Sequence, residues 1–188
     1  MTLGREFFAR SVHAVAPELV GCTLLVDGVG GIVVETEAYA PDDPASHAYN
    51  GRTRRNAVMF GPPGHLYVYR SYGIHWCANV VCGEECVAAA VLLRALEPTA
   101  GIEEMRVRRG LDDVRLLASG PGRLTQALGV TGAYDGADLV RPPFVLHPPE
   151  TSPAVVTSER VGITRAVEQP WRYSLAGSTF VSRPRPRA

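Results

Sequence analysis

The chain has 188 residues, of which 46% are hydrophobic and 20% charged. That length holds one domain, and that balance excludes wholesale disorder and a fibrous structure. Nineteen acids balance nineteen bases, and every base is an arginine, so no lysine amine can form a Schiff base or serve a Walker-type phosphate site. No run approaches about 20 apolar residues, so no membrane span is expected. Met1 to Arg10 lacks the basic start and apolar core of a secretory signal. With four unevenly spaced cysteines, the chain reads as cytoplasmic.

In chain order, Arg5 to Val20 reads as helical and Cys22 to Val26 as a short strand. The turn Asp27-Gly28-Val29-Gly30-Gly31 makes Gly31 to Tyr39 its hairpin partner. Ala40 to Pro63 is a long polar connection, and loops of that length in small domains are usually functional. His65 to Val81 is aromatic and β-branched, interrupted at Ser71-Tyr72-Gly73, and predicts a hairpin with Tyr72 at its tip. Cys86 to Leu96 predicts a buried strand. Gly101 to Arg109 predicts a helix, and Arg123 to Leu128 a short one after Ser119-Gly120-Pro121-Gly122. Strand and loop follow to Ser182, and residues 183–188, rich in alternating arginine and proline, read as a frayed tail.

Three segments carry chemistry. Strand alternation over Gly31 to Tyr39 puts Val33, Glu35, Glu37 and Tyr39 on one face, which reads as a strand leaving a core for a cleft or as an ordinary exposed edge. On the hairpin, Tyr67 and Tyr69 share a face, as do His75, Cys77 and Asn79. Tyr72 at the bend either folds back onto the sheet or is a wedge for another molecule. Arg94, inside Val91-Leu92-Leu93-Arg94-Ala95-Leu96, must meet a buried acid or the mouth of a site.

Charge is spread unevenly. Two arginines and seven acids precede Gly51, ten arginines and seven acids lie between Arg52 and Arg123, and four arginines without an acid follow Trp171. A local basic surface is therefore compatible with zero net charge.

In order along the chain, Val34-Glu35-Thr36-Glu37-Ala38-Tyr39, Ser46-His47-Ala48, Arg52-Thr53-Arg54-Arg55-Asn56 and Met59-Phe60-Gly61-Pro62-Pro63-Gly64 resemble the 3-methyladenine (alkyladenine) DNA glycosylase family. Leu66-Tyr67-Val68-Tyr69, Tyr72-Gly73, Asn79-Val80, Leu92-Leu93-Arg94-Ala95-Leu96-Glu97-Pro98, Ser119-Gly120-Pro121-Gly122-Arg123-Leu124 and Arg160-Val161-Gly162-Ile163 extend the resemblance from about Arg5 to Val181. It implies a single-domain α+β fold: a curved, mostly antiparallel sheet, flanking helices and a protruding β-hairpin that enters DNA. It implies excision of alkylated purines from double-stranded DNA, with no metal; no other cofactor is expected, a monomer is the default, and a bacterial protein would be associated with the nucleoid.

By matched position, Glu37 would activate the attacking water and Arg94 would help hold it. Tyr39, His47 and Tyr69 would enclose the extruded base, and Asn79 would sit at the pocket floor. Tyr72 would fill the gap in the duplex, with Met59 beside it. Arg52, Arg54, Arg55 and Arg123 are the expected phosphate contacts; family members often carry lysine where Arg123 stands. An alkylated purine is cationic, binds aromatic faces and is a good leaving group, so a single carboxylate would suffice. Without lysine, the enzyme would leave the abasic strand uncut.

Three other readings compete. A metal site among His47, His65, His75, Cys77, Cys82 and Cys86 lacks paired ligand spacing. An O-glycosidase using Glu35 and Glu37 would need its two carboxylates on opposite sides of the bond, whereas these are strand neighbours about 6.5–7 Å apart. A non-enzymatic binder of distorted or damaged nucleic acid would keep Tyr72 and the arginines but would not need Glu37.

Overall fold

A computed structural model describes residues 2–183. The expected tail lies outside them except for Arg183, which is exposed. Among the described residues no helix is long and apolar enough to cross a membrane.

The chain begins with helices α1 (Arg5–Phe8) and α2 (Val12–Leu19), then strands β1 (Thr23–Val26) and β2 (Val29–Tyr39). A 3-10 turn, Ala57–Phe60, interrupts the long connection before β3 (Leu66–Ser71), β4 (His75–Cys82) and β5 (Ala89–Ala100). Helices α3 (Ile102–Arg109), α4 (Val114–Leu117) and α5 (Pro121–Leu128) follow, then β6 (Phe144–His147), β7 (Val155–Ser158) and β8 (Arg172–Leu175). This is the expected single-domain α+β fold: the eight strands form one sheet in which all these pairings are antiparallel.

Several boundaries differ from the sequence reading, each for a local reason. The first helical stretch is two helices, because the Ser11 hydroxyl accepts from the His13 N–H and starts α2 afresh. Strand β5 begins at Ala89 rather than Cys86, since Cys86 and Ala88 adopt φ of 72° and 59°, which a strand does not accommodate. Helix α5 begins at Pro121, whose fixed φ and missing N–H suit a first turn. The four-residue α4 and the 3-10 turn are too short to leave a periodic signal.

Sheet order is β3-β4-β5-β2-β1-β6, and β2 has three partners, β5, β1 and β8. Its first half pairs with β1, and Glu35 to Glu37 pair with β8 instead. The register with β5 shifts between Val33 and Glu35 and again between Glu35 and Thr36. These shifts correct the simple alternation expected for this strand. Val33 packs in the main core together with Ala38, and Val34 falls in a separate cluster with Ala95 and Val181. Val33 therefore does not share a face with Glu35, Glu37 and Tyr39. The hairpin at the start of β2 is also close-packed: a Cβ at Gly30 would strike the Leu24 carbonyl, and one at Gly31 the Glu97 carbonyl.

Helices α2, α3 and α5 cover one face of the sheet, with Val15, Leu19, Met105, Leu124 and Leu128 meeting Val91, Leu93 and Val68. The strongly apolar β5 is explained by burial on both faces. Val91 and Leu93 enter this core, while Ala90, Leu92 and Arg94 line a cavity on the other side.

Candidate active site

The cavity is about 660 Å³, and the hairpin supplies one of its walls. Tyr67 pairs with Asn79 and Tyr69 with Cys77 across β3 and β4, so two-residue periodicity puts all four on the cavity face. Tyr67 and Tyr69 stack with centroids 5.5 Å apart, and the His47 ring meets Tyr69 edge-on at 4.4 Å. His47 Nδ1 lies 3.0 Å from the Tyr67 hydroxyl. The Asn79 Nδ2 donates to the Tyr67 carbonyl at 3.2 Å, which fixes the amide at the wall. Tyr39 at the end of β2, Arg94 from β5 and the segment 161–165 complete the enclosure.

The long connection is tied down at two points. Asn56 donates from Nδ2 to the carbonyls of His47 (2.9 Å) and Gly51 (3.0 Å). Asp43, buried, receives both ends of the buried Arg160 guanidinium. Arg160 lies 4.7 Å over the Tyr39 ring and 5.0 Å over Trp171.

Glu37 is fully buried and does not itself line the cavity. Three groups that do line it shield the carboxylate. Oε2 accepts from the Tyr39 hydroxyl at 2.8 Å, Oε1 accepts from the Val161 N–H at 2.7 Å, and Arg94 Nη1 is 3.3 Å from Oε1. The carboxylate is therefore one layer behind the wall. Arg94 reaches two acids: its Nε donates to Glu35 at 2.9 Å while Nη1 faces Glu37.

Electrostatics keep the rings neutral. Burial, and next Glu37, push the Tyr39 hydroxyl well above its usual range. Burial pushes Tyr67 up to about 12 and raises Tyr69 as well. Burial, and then the Arg55 charge, lower the His47 pKa, so its imidazole favours the neutral form. Burial also opposes charge on Glu35 and Arg94. For Glu35, Arg94, Arg172 and Ser182 together outweigh that penalty and hold the carboxyl below its usual value. For Arg94, Glu37 and Glu35 do the same, and its pKa is raised.

The hairpin tip is Tyr72-Gly73-Ile74. Tyr72, at φ 49°, is 90% exposed yet borders the cavity, so it does not fold back onto the sheet. Met59 lines the same cavity that Tyr72 borders and is buried against Tyr67, Val81 and Ala90, and Ile74 beside Tyr72 is 67% exposed. Of the expected phosphate contacts, Arg55 borders the cavity, 5.8 Å over Tyr69. Arg52 and Arg54 are exposed on the long connection, and Arg123 is exposed with Nη1 donating to Ser119 Oγ at 3.1 Å. Among the described residues no three His, Cys, Asp or Glu side chains come together as a metal site would require.

A family model described as "Methylpurine-DNA glycosylase (MPG)" matches residues 6–179, nearly the whole described chain. The chain belongs to the methylpurine-DNA glycosylase family. It is 64% identical over 182 residues to a Rhodopseudomonas palustris (strain HaA2) protein, covering 97% of this chain and 90% of that one. It is 60% identical over 185 residues to one from Bradyrhizobium diazoefficiens, at 98% and 92% coverage. Both carry the name "Putative 3-methyladenine DNA glycosylase". A third relative of that name, from Agrobacterium fabrum, is 58% identical over 179 residues, 95% of this chain and 91% of its own.

Of the residues expected from the sequence, the fold brings Tyr39, His47, Tyr69, Asn79 and Arg94 to one cavity. The sequence reading was incomplete elsewhere. It put Tyr67 and Cys77 on the same faces as Tyr69 and Asn79 but gave them no part in the site, whose wall they form. It also missed the roles of Arg160 and Val161, which come from over 110 residues away, and the engagement of Glu35 by Arg94, Arg172 and Ser182.

Proposed function

We propose that the protein is a monofunctional DNA glycosylase of base excision repair. It acts as a monomer on duplex DNA, turns out purines of the 3-methyladenine, 7-methylguanine and hypoxanthine class, and hydrolyses their N-glycosidic bond. The observation that carries this reading is the joining of an aromatic cavity to a buried Glu37–Arg94 pair on one side and an exposed Tyr72 on the other.

Extruding a base costs a few kcal/mol, which Tyr72 offsets by entering the vacated stack. Neutral rings of Tyr39, His47 and Tyr69 receive the base, and a cationic purine gains about 0.5–2 kcal/mol over such faces. Glu37 Oε2 accepts one hydrogen bond and keeps a second lone pair, which takes a proton from a water held beside Arg94. The water oxygen bonds to the sugar C1′ as the C1′–N bond breaks. With a cationic methylpurine the bonding pair leaves with the base and neutralises its positive charge, so no strong acid is needed; hypoxanthine, a neutral base, takes up a proton as it leaves. Asn79 disfavours the exocyclic amine of guanine, a penalty that the good leaving group of 7-methylguanine offsets.

One observation favours binding without chemistry: both Glu37 oxygens are already engaged. A single assay separates the readings. Methylated and inosine-containing duplexes are incubated with the protein and free bases resolved. Release of a methylpurine with an alkali-labile but uncut strand supports the glycosylase. Tight binding with no released base establishes the binder instead. A covalent adduct trapped by borohydride would overturn the monofunctional assignment.

A further inference from the structure

Arg94 is held from behind by a group that the proposed reaction does not use. Glu35 is fully buried and outside the cavity wall. Its Oε1 accepts from Arg94 Nε at 2.9 Å, Arg172 Nε at 2.7 Å and Ser182 Oγ at 2.8 Å, and its Oε2 accepts from the Ser182 N–H at 2.6 Å. Among the described residues the donors that meet Glu35 come from Arg94, Arg172 and Ser182.

Ser182 closes the cluster. Its hydroxyl also receives Arg94 Nη2 at 3.1 Å, and its carbonyl receives Arg172 Nη2 at 3.2 Å. Two of the three guanidinium nitrogens of Arg94 are therefore engaged by Glu35 and Ser182. Nη1 is left, and it points to Glu37. Arginine is well suited to this arrangement because its planar fork, once gripped at Nε and one terminal nitrogen, has a fixed direction for the other. Two carboxylates and two guanidiniums thus face one another in a buried region, each acid within reach of a cation.

We propose that Glu35 is a positioning residue, with Ser182 as its second contact, and that together they aim Arg94 at Glu37 and the reacting sugar. This rests on the reading of Glu37 and Arg94 as the hydrolytic pair. A misplacement near 1 Å at such a pair costs on the order of 100-fold in rate. Glu35→Gln keeps the volume but puts an NH₂ group among donors and removes the charge that grips Arg94. Ser182→Ala removes one of the two grips and leaves the Glu35–Arg94 contact.

The experiment measures base release from 7-methylguanine duplex under single-turnover conditions with enzyme in saturating excess, where the rate constant does not depend on the folded fraction. Affinity for an uncleavable abasic duplex is measured alongside. The expected results are a fall of about 100-fold for Glu35→Gln, roughly 3–10-fold for Ser182→Ala, an intermediate value for Glu35→Asp, and abasic-site affinity within about twofold of the unaltered protein. If Glu35→Gln does not fold, Ser182→Ala decides alone: a rate constant equal to that of the unaltered protein overturns the proposal. An unchanged rate constant in a folded but less stable Glu35→Gln would likewise make the cluster structural only. Failure of the unaltered protein to release any base would instead overturn the glycosylase reading on which the proposal rests.

Discussion

Replacing Arg160 with methionine perturbs the buried support of the cavity, including the Tyr39 ring that its guanidinium covers. The guanidinium pairs with Asp43 through both terminal nitrogens and donates to the Ala38 carbonyl at 3.1 Å and the Ala166 carbonyl at 3.3 Å. Both charged side chains are fully buried. Removing one partner leaves the other as an uncompensated buried charge, which costs about 3–5 kcal/mol. For a chain of this length each kcal/mol lowers the melting temperature by about 2–4 °C, so the fall is about 6–20 °C. Thermal and urea unfolding of Arg160→Met, Asp43→Asn and the double variant measure this directly. The two single losses should be similar and strongly non-additive, because each removes the same pair. A loss below about 1 kcal/mol in both singles, the worth of an exposed ion pair, refutes the argument. Since Val161 follows Arg160 and holds Glu37, the base-release rate of Arg160→Met should fall as well.

Other outcomes follow from the same geometry. Glu37→Gln should abolish base release, a loss of at least about 100-fold, while binding to damaged duplex stays within a few-fold, read by gel shift and free-base assay together; retained turnover would move the proton acceptor elsewhere. Tyr72→Ala should weaken affinity for abasic duplex by roughly tenfold and spare hydrolysis of an unpaired lesion, because its ring is almost entirely exposed and contacts no part of the core. Affinity equal to that of the unaltered protein would deny the wedge. His47 binds its proton less readily when folded than the ordinary value of 6.5, so the unfolded chain takes up more protons as pH falls. Stability attributable to His47 is thus fully present above pH of about 6.5 and is lost as pH drops through the lower folded value. Urea midpoints between pH 7.5 and 5.5 should fall less steeply in His47→Gln, and parallel slopes would remove His47 as the cause.

The hairpin was legible because its information is local. Alternation placed Tyr67, Tyr69, Cys77 and Asn79, and the Tyr72-Gly73 pair marked the bend. Strand β2 was legible only in outline. Its faces exchange where β1 gives way to β8 as a partner, and nothing within Val29–Tyr39 announces a neighbour more than 130 residues further along. The retreat of Glu37 behind the wall has the same origin, since the Val161 N–H that holds it belongs to a loop 124 residues away. Arg94 was the opposite case. A charge inside an apolar strand demands a partner on physical grounds alone, although which acids answer it depends on the fold. Arg160 stood in a quoted motif, yet its packing on Tyr39 could not be read from spacing.

The exposed ring and the cavity wall belong to the same two strands, Leu66–Ser71 and His75–Cys82. Their tolerance to length change is therefore quantised. Adding one residue to either stem would turn Tyr67 and Tyr69, or Cys77 and Asn79, toward the helices and leave the receptacle without its aromatic lining. Growth in twos, or at the bend alone, would leave the wall facing the same way and alter only how far Tyr72 reaches. Variation in reach among descendants of this chain is thus steered to the bend, where the depth of probing into a duplex can be tuned without disturbing the chamber behind it.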